Sequence, residues 1–516
     1  MTDLIDAAVD GGSAPGEVTW SSAISLRDIL VVARGAPLRL APEVWQRLTE
    51  ARQVVEEVLA SGTVAYGLNT GLGSLKKYVL SEQQLLDFNA QIITSHAISL
   101  STHELSERGV RALMAARVAG LVQGGSGVRP ALATLLLGML NAGVHPVVRP
   151  DHTSLGEGDL ASIAQVGLVM IGQGEAHYRG QRHSGAEALR RAGLSPLTLQ
   201  AKEGLGLVSA QAYSVGMAAL HISCAQELLN AFDVAAAYSL EGFDGNPSIL
   251  GAVVTNGRPL PGQGRRADHL RALLEGSNLG QRFRNLQDPL SFRCVVQVHG
   301  ACDDVLHFAG TQVQSLLNAQ TDNPVLDVHE RRLVVSGNFD GTALALATDA
   351  LRLALHRLIV MSVQRVSKMV WSEFSGLPTA LAAPSDAELG MTLNNASRSM
   401  ASTAARAHVL AQPCSLSITP NTTEGTDDYC SMATNGVEML GEQLGLARTV
   451  VALELLFAHH ALGWRQGAQL SAALTRVRTL MSGWLRAPLR VNEYIAQFSL
   501  DELVQVAAED PERGCT

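Results

Sequence analysis

The hydrophobic pattern divides the chain near residue 204. From about Gly204 onward, four apolar runs of roughly 27 to 36 residues follow one another, and each is apolar on more than one helical face. These runs far exceed the usual helix of about 12 residues, and helices that are apolar all round belong inside a bundle. The runs are 207–240, 294–320, 343–371 and 430–464. They predict a long-helix bundle, followed by C-terminal helices, over 204–516.

The first 203 residues show short amphipathic helices that alternate with glycine-rich turns. Apolar residues recur at helical spacing from Pro42 and stop near Gly62. Another helix is predicted after Ser81, because Gln84 completes a capping-box pattern with it. Strand signals are few and short. The sequence therefore predicts a mainly α-helical protein whose residues 1–203 form a smaller, loop-rich helical domain.

Composition and charge narrow the classes of function. Hydrophobic residues make up 47% of the chain and charged residues 17%, which is typical of a globular protein and not of a disordered one. The net charge of −9 and the lack of a Lys/Arg run disfavour nucleic acid and anionic membranes as partners. We therefore expect a small-molecule substrate.

Membrane and secretory signals are weak. The most apolar segment is interrupted by Glu454, His459 and His460, so it falls short of the roughly 18 uninterrupted apolar residues of a membrane span. The acidic start lacks the basic region of a signal peptide. We expect a cytoplasmic protein.

Metal binding is not predicted. The six cysteines are scattered and form no CxxC pair, so reduced structural thiols are expected. His459 and His460 are adjacent, and neighbours on a helix point about 100° apart and cannot easily share a metal.

A tyrosine in a glycine-rich loop is the first candidate for chemistry. The segment "AYGLNTGLGS", 65–74, has three glycines, but a dinucleotide-binding fingerprint needs a preceding strand and a following helix, and neither is predicted here. Tyr66 is instead expected to act as a lid residue that transfers a proton if its pKa is lowered. Asn69 in the same loop is a secondary candidate.

The polar turns between the long helices supply further candidates. "QDPLSFRC" contains Gln287 and Arg293; an arginine fork suits a substrate carboxylate, and the alternative is a surface ion pair. "TDNP" and "SGNF" contain Asn323 and Asn338, for which turn chemistry is the alternative.

One acid lies in an unusual turn. In "PDHTSLGEGDLASIAQ", 150–165, Glu157 stands between Gly156 and Gly158, and glycine permits backbone angles that side chains forbid. The turn is expected to present this carboxylate to a site. Alternatively, Glu157 caps the helix that begins near Asp159, or pairs with a buried base.

These segments carry a resemblance to a known family. "YGLNTGLG", "SHA", "GSGVR", "GDLASIAQVGLVMIGQGEA", "KEGLGL", "QDPLSFRC", "TDNP" and "SGNFDG" occur in the order and rough spacing seen in the histidine and phenylalanine ammonia-lyase family. The resemblance covers roughly residues 40–470. It implies a mainly helical ammonia-lyase/fumarase-like fold and a homotetramer whose active sites draw on three subunits.

The resemblance also implies residue roles. Tyr66 resembles the loop base that removes the β-proton of an α-amino acid. Arg293, with Asn323, resembles the clamp on the substrate carboxylate, and Gln287 resembles an active-site polar contact. His96 resembles the position that selects polar aromatic side chains.

The departures from the family concern its electrophile. Members form methylidene-imidazolone by cyclising and dehydrating an Ala-Ser-Gly tripeptide before Asp-Leu, where this chain has Gly156, Glu157 and Gly158. Dehydration needs a β-hydroxyl, which Glu157 lacks, so we predict that the group is absent and that no cofactor is used.

Neighbouring positions differ as well. An Asn that supports the prosthetic group is Ser209 here, a Tyr is Leu290, a His is Asp340, and a Gln-Glu pair is Thr426 and Asp427. With His96, Asp427 favours a polar or basic substrate side chain. In the same "SGNFDG" motif, Phe339 is a secondary site candidate.

Three functional hypotheses follow. The first is a lyase-like enzyme that acts on an α-amino acid or derivative by elimination, addition or cyclisation, with Glu157 replacing the electrophile. The second is an ammonia-lyase or aminomutase for a substrate with a better or cationic leaving group. The third is a non-catalytic binding homologue. Ordinary histidine or phenylalanine ammonia-lyase activity is expected to be absent.

Overall fold

Short helices and small sheets build the first part of the chain. The structure, a computed structural model, describes residues 16–150, 158–417 and 423–508. The helices here are α1 (Leu26–Ala33), α2 (Pro42–Ala60), α3 (Glu82–His96), α4 (Glu107–Val122), α5 (Pro130–Ala142), α6 (Leu160–Met170) and α7 (Gly185–Arg191). The capping box is formed as predicted, since the Ser81 hydroxyl accepts from the Gln84 amide and the Gln84 side chain accepts from the Ser81 backbone.

Long helices, joined by several short ones, build the remainder. They are α8 (Glu203–Val208), α9 (Ala212–Phe243), α10 (Ala252–Asn256), α11 (Pro261–Leu274), α12 (Leu279–Arg282), α13 (Leu290–Arg293), α14 (Val295–Leu317), α15 (Thr342–Val370), α16 (Ser372–Ser375), α17 (Ala387–Leu410), α18 (Ala433–Gly463), α19 (Ala472–Trp484), α20 (Val491–Gln497) and α21 (Leu500–Ala508). The mainly helical fold is thus confirmed, and α9, α14, α15 and α18 are the four long runs.

The strands are short, as predicted. They are β1 (Val18–Trp20), β2 (Leu38–Leu40), β3 (Val144–Pro146), β4 (Glu175–Tyr178), β5 (Gln181–Ser184), β6 (Val325–Asp327) and β7 (Arg332–Val334). Strands β1 and β2 pair in parallel, β3, β4 and β5 form an antiparallel sheet in that order, and β6 and β7 form an antiparallel hairpin in which Val325 faces Val334.

The long helices share one apolar core. Helix α9 packs against α18 and α4, and α15 packs against α14 and α18. One large cluster contains buried apolar residues from Trp20 to Ala507, so most of the N-terminal helices pack on the bundle. A second, smaller cluster joins α2 to Leu68 and Leu326. The division into domains at residues 203 and 204 stays a prediction.

The first long run differs from its prediction at one end. It was expected to start at Leu207, but α8 ends at Val208 and α9 begins at Ala212. Between them, the Ala210 carbonyl accepts a hydrogen bond from the Asp159 backbone N–H at 2.9 Å. This contact with the turn before α6 takes the place of helical hydrogen bonding, so the run is divided.

Charged side chains inside the bundle are paired. Arg365 on α15 and Glu454 on α18 are both fully buried and joined by two hydrogen bonds of 2.5 and 2.9 Å. Asp233 on α9, also fully buried, accepts from the Nδ1–H of His299 at 2.6 Å and of His269 at 2.7 Å. Pairing of this kind offsets the cost of taking charge out of water.

Two helical stretches are long and apolar enough to cross a membrane by length and composition, Glu203–Phe243 and Ala433–Gly463. In their most apolar windows, 94% and 67% of the residues are buried inside the fold, which accounts for their composition without a membrane. Among the described residues, no group of three or more His, Cys, Asp or Glu side chains is placed to hold a metal ion. The rings of His459 and His460 lie at 88° to one another.

Histidines that are buried and neutral in the folded protein make its free energy of unfolding depend on pH. His221 on α9 is 3% exposed, and its ring lies against Gly441 of α18, where an added Cβ would come within 2.7 Å of the imidazole. Burial lowers the pKa of His221 to about 4, whereas an unfolded histidine titrates near 6.5. The unfolded chain therefore binds the extra proton first, and stability falls as the pH drops from about 6.5 to about 4.

We predict that His221→Gln flattens this pH dependence, removing a contribution on the order of 3 kcal/mol between pH 7 and pH 4. Urea unfolding midpoints across that range measure it. His329→Gln, at a side chain that is 94% exposed, is the control and should leave the pH dependence as in the parent chain. Equal pH dependence in the His221→Gln and parent proteins would contradict the assignment.

Candidate active site

The loop that carries Tyr66 rests on two distant segments. Gly67 has φ +67°, and a Cβ there would lie 2.5 Å from Leu205 Cδ2 and 3.1 Å from Pro324 Cδ. Only glycine accepts both the backbone angle and the close approach. Tyr66 is half-buried, its hydroxyl accepts from the Gly73 N–H at 3.5 Å, and it lines a cavity of about 480 Å³ together with Pro324. The backbone next to Tyr66 therefore packs against Leu205 and Pro324, and the tyrosine side chain borders the cavity.

Asn69 organises this loop. It is 8% exposed; its Oδ1 accepts from the Ala65 N–H and its Nδ2 donates to the Thr63 carbonyl, both at 2.9 Å. These contacts close the start of the loop around Tyr66. Any direct contact between Asn69 and substrate stays a prediction.

The glycine turn is locked from its C-terminal side. Gly158 has φ +95°, and a Cβ there would lie 2.4 Å from the Ala210 carbonyl oxygen. Asp159, next in the chain, donates its N–H to the same carbonyl. Glycine is thus required at 158 on two grounds. Gly156 and Glu157, the other residues of the predicted turn, lie outside the described residues.

Asp159 anchors the turn to the bundle. Its carboxylate accepts from the Ser214 N–H and hydroxyl, each at 2.7 Å, and from the Thr434 hydroxyl at 2.8 Å. Burial raises the pKa of Asp159, and these hydrogen bonds oppose that shift. The turn is therefore tied to α9 and α18 through one carboxylate, a role that sequence analysis missed although "GDL" contains the residue.

Polar atoms without partners lie close to this turn. Ser209 lies in the break between α8 and α9. It is fully buried, and its hydroxyl has no hydrogen-bond partner among the described residues. Gln211 donates from Nε2 to the Phe339 carbonyl at 2.5 Å, while its Oε1 has no partner in the described part of the chain. This contact brings the half-buried Phe339 to the same region.

The segment around Asn323 lies beneath the Tyr66 loop. Asn323 is 4% exposed and its Oδ1 accepts from the Ser336 N–H at 3.0 Å, which closes the β6–β7 hairpin. Asn338 donates from Nδ2 to the Gln320 carbonyl at 3.1 Å. Both asparagines therefore have the turn chemistry that was the alternative for them. The role of Asn323 in binding a carboxylate stays a prediction.

The segment with Asp427 packs against the same loop. Lys76 donates to the Thr426 hydroxyl at 3.2 Å, and an added Cβ at Gly73 would lie 2.5 Å from Thr423 Cγ2. Asp427 is half-buried and accepts from the Thr423 hydroxyl at 2.5 Å. Asp427 is thereby placed beside the loop of Tyr66.

His96 ends α3 near the chain that leads to the turn. Its Nδ1 lies 2.7 Å from the Ile92 carbonyl, so that nitrogen carries the proton. Three residues later, the Ser99 hydroxyl donates to the carbonyl of Pro150 at 3.3 Å, directly before residues 151–157. The chain that follows His96 is therefore bound to Pro150.

The predicted carboxylate clamp lies elsewhere in the chain. With its amide oxygen turned toward the guanidinium, Gln287 accepts two hydrogen bonds from Arg293, one of them at 3.1 Å from Nη2. Leu290 is 60% exposed beside them. Helix α14 separates Arg293 from Asn323, and its 23 residues span about 34 Å at 1.5 Å per residue. Arg293 therefore lies at the start of this helix, and Asn323 lies beyond its end.

Comparisons with known proteins match nearly the whole chain. The profile of the family described as aromatic amino acid lyase matches residues 24–481. A histidine ammonia-lyase of Stigmatella aurantiaca is 38% identical over 449 residues, which cover 86% of this chain and 87% of that protein.

Two solved structures show the same fold. The ergothioneine-degrading enzyme ergothionase of Treponema denticola, in complex with desmethyl-ergothioneine sulfonic acid, has a TM-score of 0.88 and 26% identity, over 95% of this chain and 99% of that one. The phenylalanine aminomutase of Pantoea agglomerans has a TM-score of 0.87 and 27% identity, over the same shares. The fold is thus shared by proteins whose reactions differ.

The turn at Gly158 yields a prediction. Gly158→Ala should destabilise the protein by about 2 to 4 kcal/mol, because the added methyl group meets the Ala210 carbonyl and the backbone angle is strained. Thermal unfolding measures the change. Gly264→Ala is the matched control: no heavy atom lies within 4 Å of the added Cβ, and alanine favours α11, where this glycine lies. If Gly158→Ala were as stable as the parent, the close contact between Gly158 and the Ala210 carbonyl would not constrain the turn.

Proposed function

Because the chain belongs to the aromatic amino acid lyase family, we propose that it is a lyase-like enzyme that works without the methylidene-imidazolone group. Its substrate is an α-amino acid or amino-acid derivative, and its reaction is an elimination or a related addition or cyclisation. Glu157 replaces the electrophile. Ordinary ammonia release from histidine or phenylalanine is absent.

One observation carries this proposal, the sequence Gly156-Glu157-Gly158 directly before Asp159. A glutamate side chain has no β-hydroxyl to lose as water, so these residues do not fit the prosthetic group. The surroundings of the turn support the same conclusion. Ser209 stands where the family has a supporting Asn, and its buried hydroxyl has no partner among the described residues.

The chemistry then falls to side chains. Tyr66 takes the β-proton, the electron pair of that C–H bond forms the carbon–carbon double bond, and the Cα–N bond breaks with its electron pair leaving on the amine. Glu157 supplies a negative charge that attracts the cationic nitrogen of the bound substrate, which then leaves as a neutral amine, or it acts as an acid or base if desolvation raises its pKa. Addition is the same sequence in reverse.

A substrate with a cationic leaving group is the second candidate. Ergothioneine, which the enzyme from Treponema denticola degrades, carries a quaternary ammonium at its α-carbon, and such a nitrogen leaves as a neutral amine without activation by an electrophile. A carboxylate at position 157 is suited to attract that cation. We include amino-acid betaines in the substrate class for this reason.

A complete site requires more than one copy of the chain. Arg293 precedes α14, and Asn323, beneath the Tyr66 loop, follows it; because that helix is about 34 Å long, we infer that a clamp that uses both residues is assembled between chains. The proposal therefore includes a homotetramer whose sites combine residues of different subunits. Cytoplasmic localisation and a small molecule as the sole partner stay predictions from composition.

Mass and turnover test the central proposal. The intact mass should equal that of the encoded chain, and histidine, phenylalanine and tyrosine should yield no urocanate, cinnamate or coumarate. Mass-spectrometric screening of amino-acid derivatives, betaines included, should find a substrate whose turnover falls by about 10² or more in Tyr66→Phe and Glu157→Gln.

Matched controls are available for both variants. Tyr78→Phe changes an exposed tyrosine of the same loop, and Glu493→Gln changes an exposed glutamate of α20; both should retain parental turnover. A mass lower by two waters, or ammonia release from histidine, would contradict the proposal. Tight binding without turnover, unaffected by Tyr66→Phe, would favour a non-catalytic homologue.

Mixed oligomers test the composite site. Tyr66→Phe and Arg293→Ala should each be inactive alone, and coexpression should restore part of the turnover, because some sites then combine an intact Tyr66 with an intact Arg293. Pairing Tyr66→Phe with the double variant Tyr66→Phe/Arg293→Ala is the control and should restore none. No recovery in the first mixture would mean that one chain provides both residues.

A further inference from the structure

One guanidinium in the core joins three segments that are distant in sequence. Arg117 on α4 is 1% exposed, and its Nη2 lies 3.2 Å from Oδ1 of Asp322, which is fully buried. The same group donates to the Gly206 carbonyl of α8 and, at 3.1 Å, to the Ser126 hydroxyl. Ser126 in turn donates to the other carboxylate oxygen of Asp322 at 2.7 Å.

Two of these segments form the floor of the Tyr66 loop. Leu205 directly precedes Gly206, and Pro324 follows Asp322 by two residues. They are the side chains that Gly67 approaches most closely. The guanidinium therefore fixes the spacing between the two supports on which the residue next to Tyr66 rests.

We propose that Arg117 and Asp322 are positioning residues for Tyr66. They act through Leu205 and Pro324 and hold the phenolic oxygen of Tyr66 at the position from which, as a phenolate, it takes a proton. This inference rests on the proposed function, in which Tyr66 is the base.

Apolar packing in place of Arg117 and Asp322 would not fix the relative position of the two supporting segments. A planar guanidinium donates in fixed directions, so it sets the relative placement of the Asp322 carboxylate and the Gly206 carbonyl, which apolar contacts leave free to slide. All of these polar groups are buried and depend on one another for hydrogen bonds. Removal of one charge consequently disturbs both supports together.

Fluorine NMR tests the proposal independently of turnover. The seven tyrosines are labelled as 3-fluorotyrosine, and Tyr66→Phe assigns the resonance of Tyr66. Asp322→Asn should shift or broaden that resonance and leave the resonance of Tyr494 in place, since Tyr494 is buried against the Ala452 carbonyl of α18. Amide exchange in residues 64–80 should rise about tenfold.

Glu454→Gln is the matched control. It makes the same carboxylate-to-amide change in the fully buried pair with Arg365, within the bundle and away from the loop, and should leave the Tyr66 resonance unchanged even though stability falls. Arg117→Lys keeps the positive charge but loses the planar guanidinium with its several donors. It should move the Tyr66 resonance in the same direction as Asp322→Asn by a smaller amount.

Two results would overturn the proposal. One is an unchanged Tyr66 resonance in Asp322→Asn, or in Arg117→Lys if Asp322→Asn does not fold. The other is an equal displacement in Glu454→Gln, which would show that general loss of stability moves the loop. Because loop position is measured directly, either result is separate from failure to find a substrate.

Discussion

Charges inside the long-helix bundle are tolerated in pairs, and this constraint fixes how the helices lie against one another. Helix α9 is buried along most of its length, so its acids Asp233 and Glu241 have no access to water and need partners on neighbouring elements. Glu454 reaches both Arg365 and Ser239, and Asp233 receives two imidazoles. A helix that rotated or slid would leave one of these groups buried and alone, at a cost of several kcal/mol.

The same constraint places the chemistry at the helix ends. In the described part of the bundle, the space between the long helices is occupied by apolar side chains and paired charges. The described candidates accordingly collect in loops, with Tyr66, Asn323 and Asp427 at one end of α14 and Arg293 at the other. The length of that helix, about 34 Å, keeps the two groups apart within a chain and is the physical basis for expecting sites shared between copies.

The C-terminal side of the turn before α6 is held by Gly158 and Asp159. Gly158 fits under the Ala210 carbonyl, and Asp159 is bound by Ser214 and Thr434. None of these contacts uses the side chain at position 157. The described contacts of the turn are therefore compatible with the carboxylate that we propose in place of the family's electrophile.

Local sequence determined the helices, because the spacing of apolar residues along consecutive positions shows the helical period of 3.6 residues and the apolar face. The four long runs, the capping box at Ser81 and the glycine of the turn were all predictable in this way. Tertiary structure alone decided the division of the first run at Ala210, the pairing of Arg117 with Asp322, and the separation of Arg293 from Asn323. Those depend on which helices pack together and how long they are, and residues from tens to about two hundred positions apart leave no local sequence pattern that records their contact.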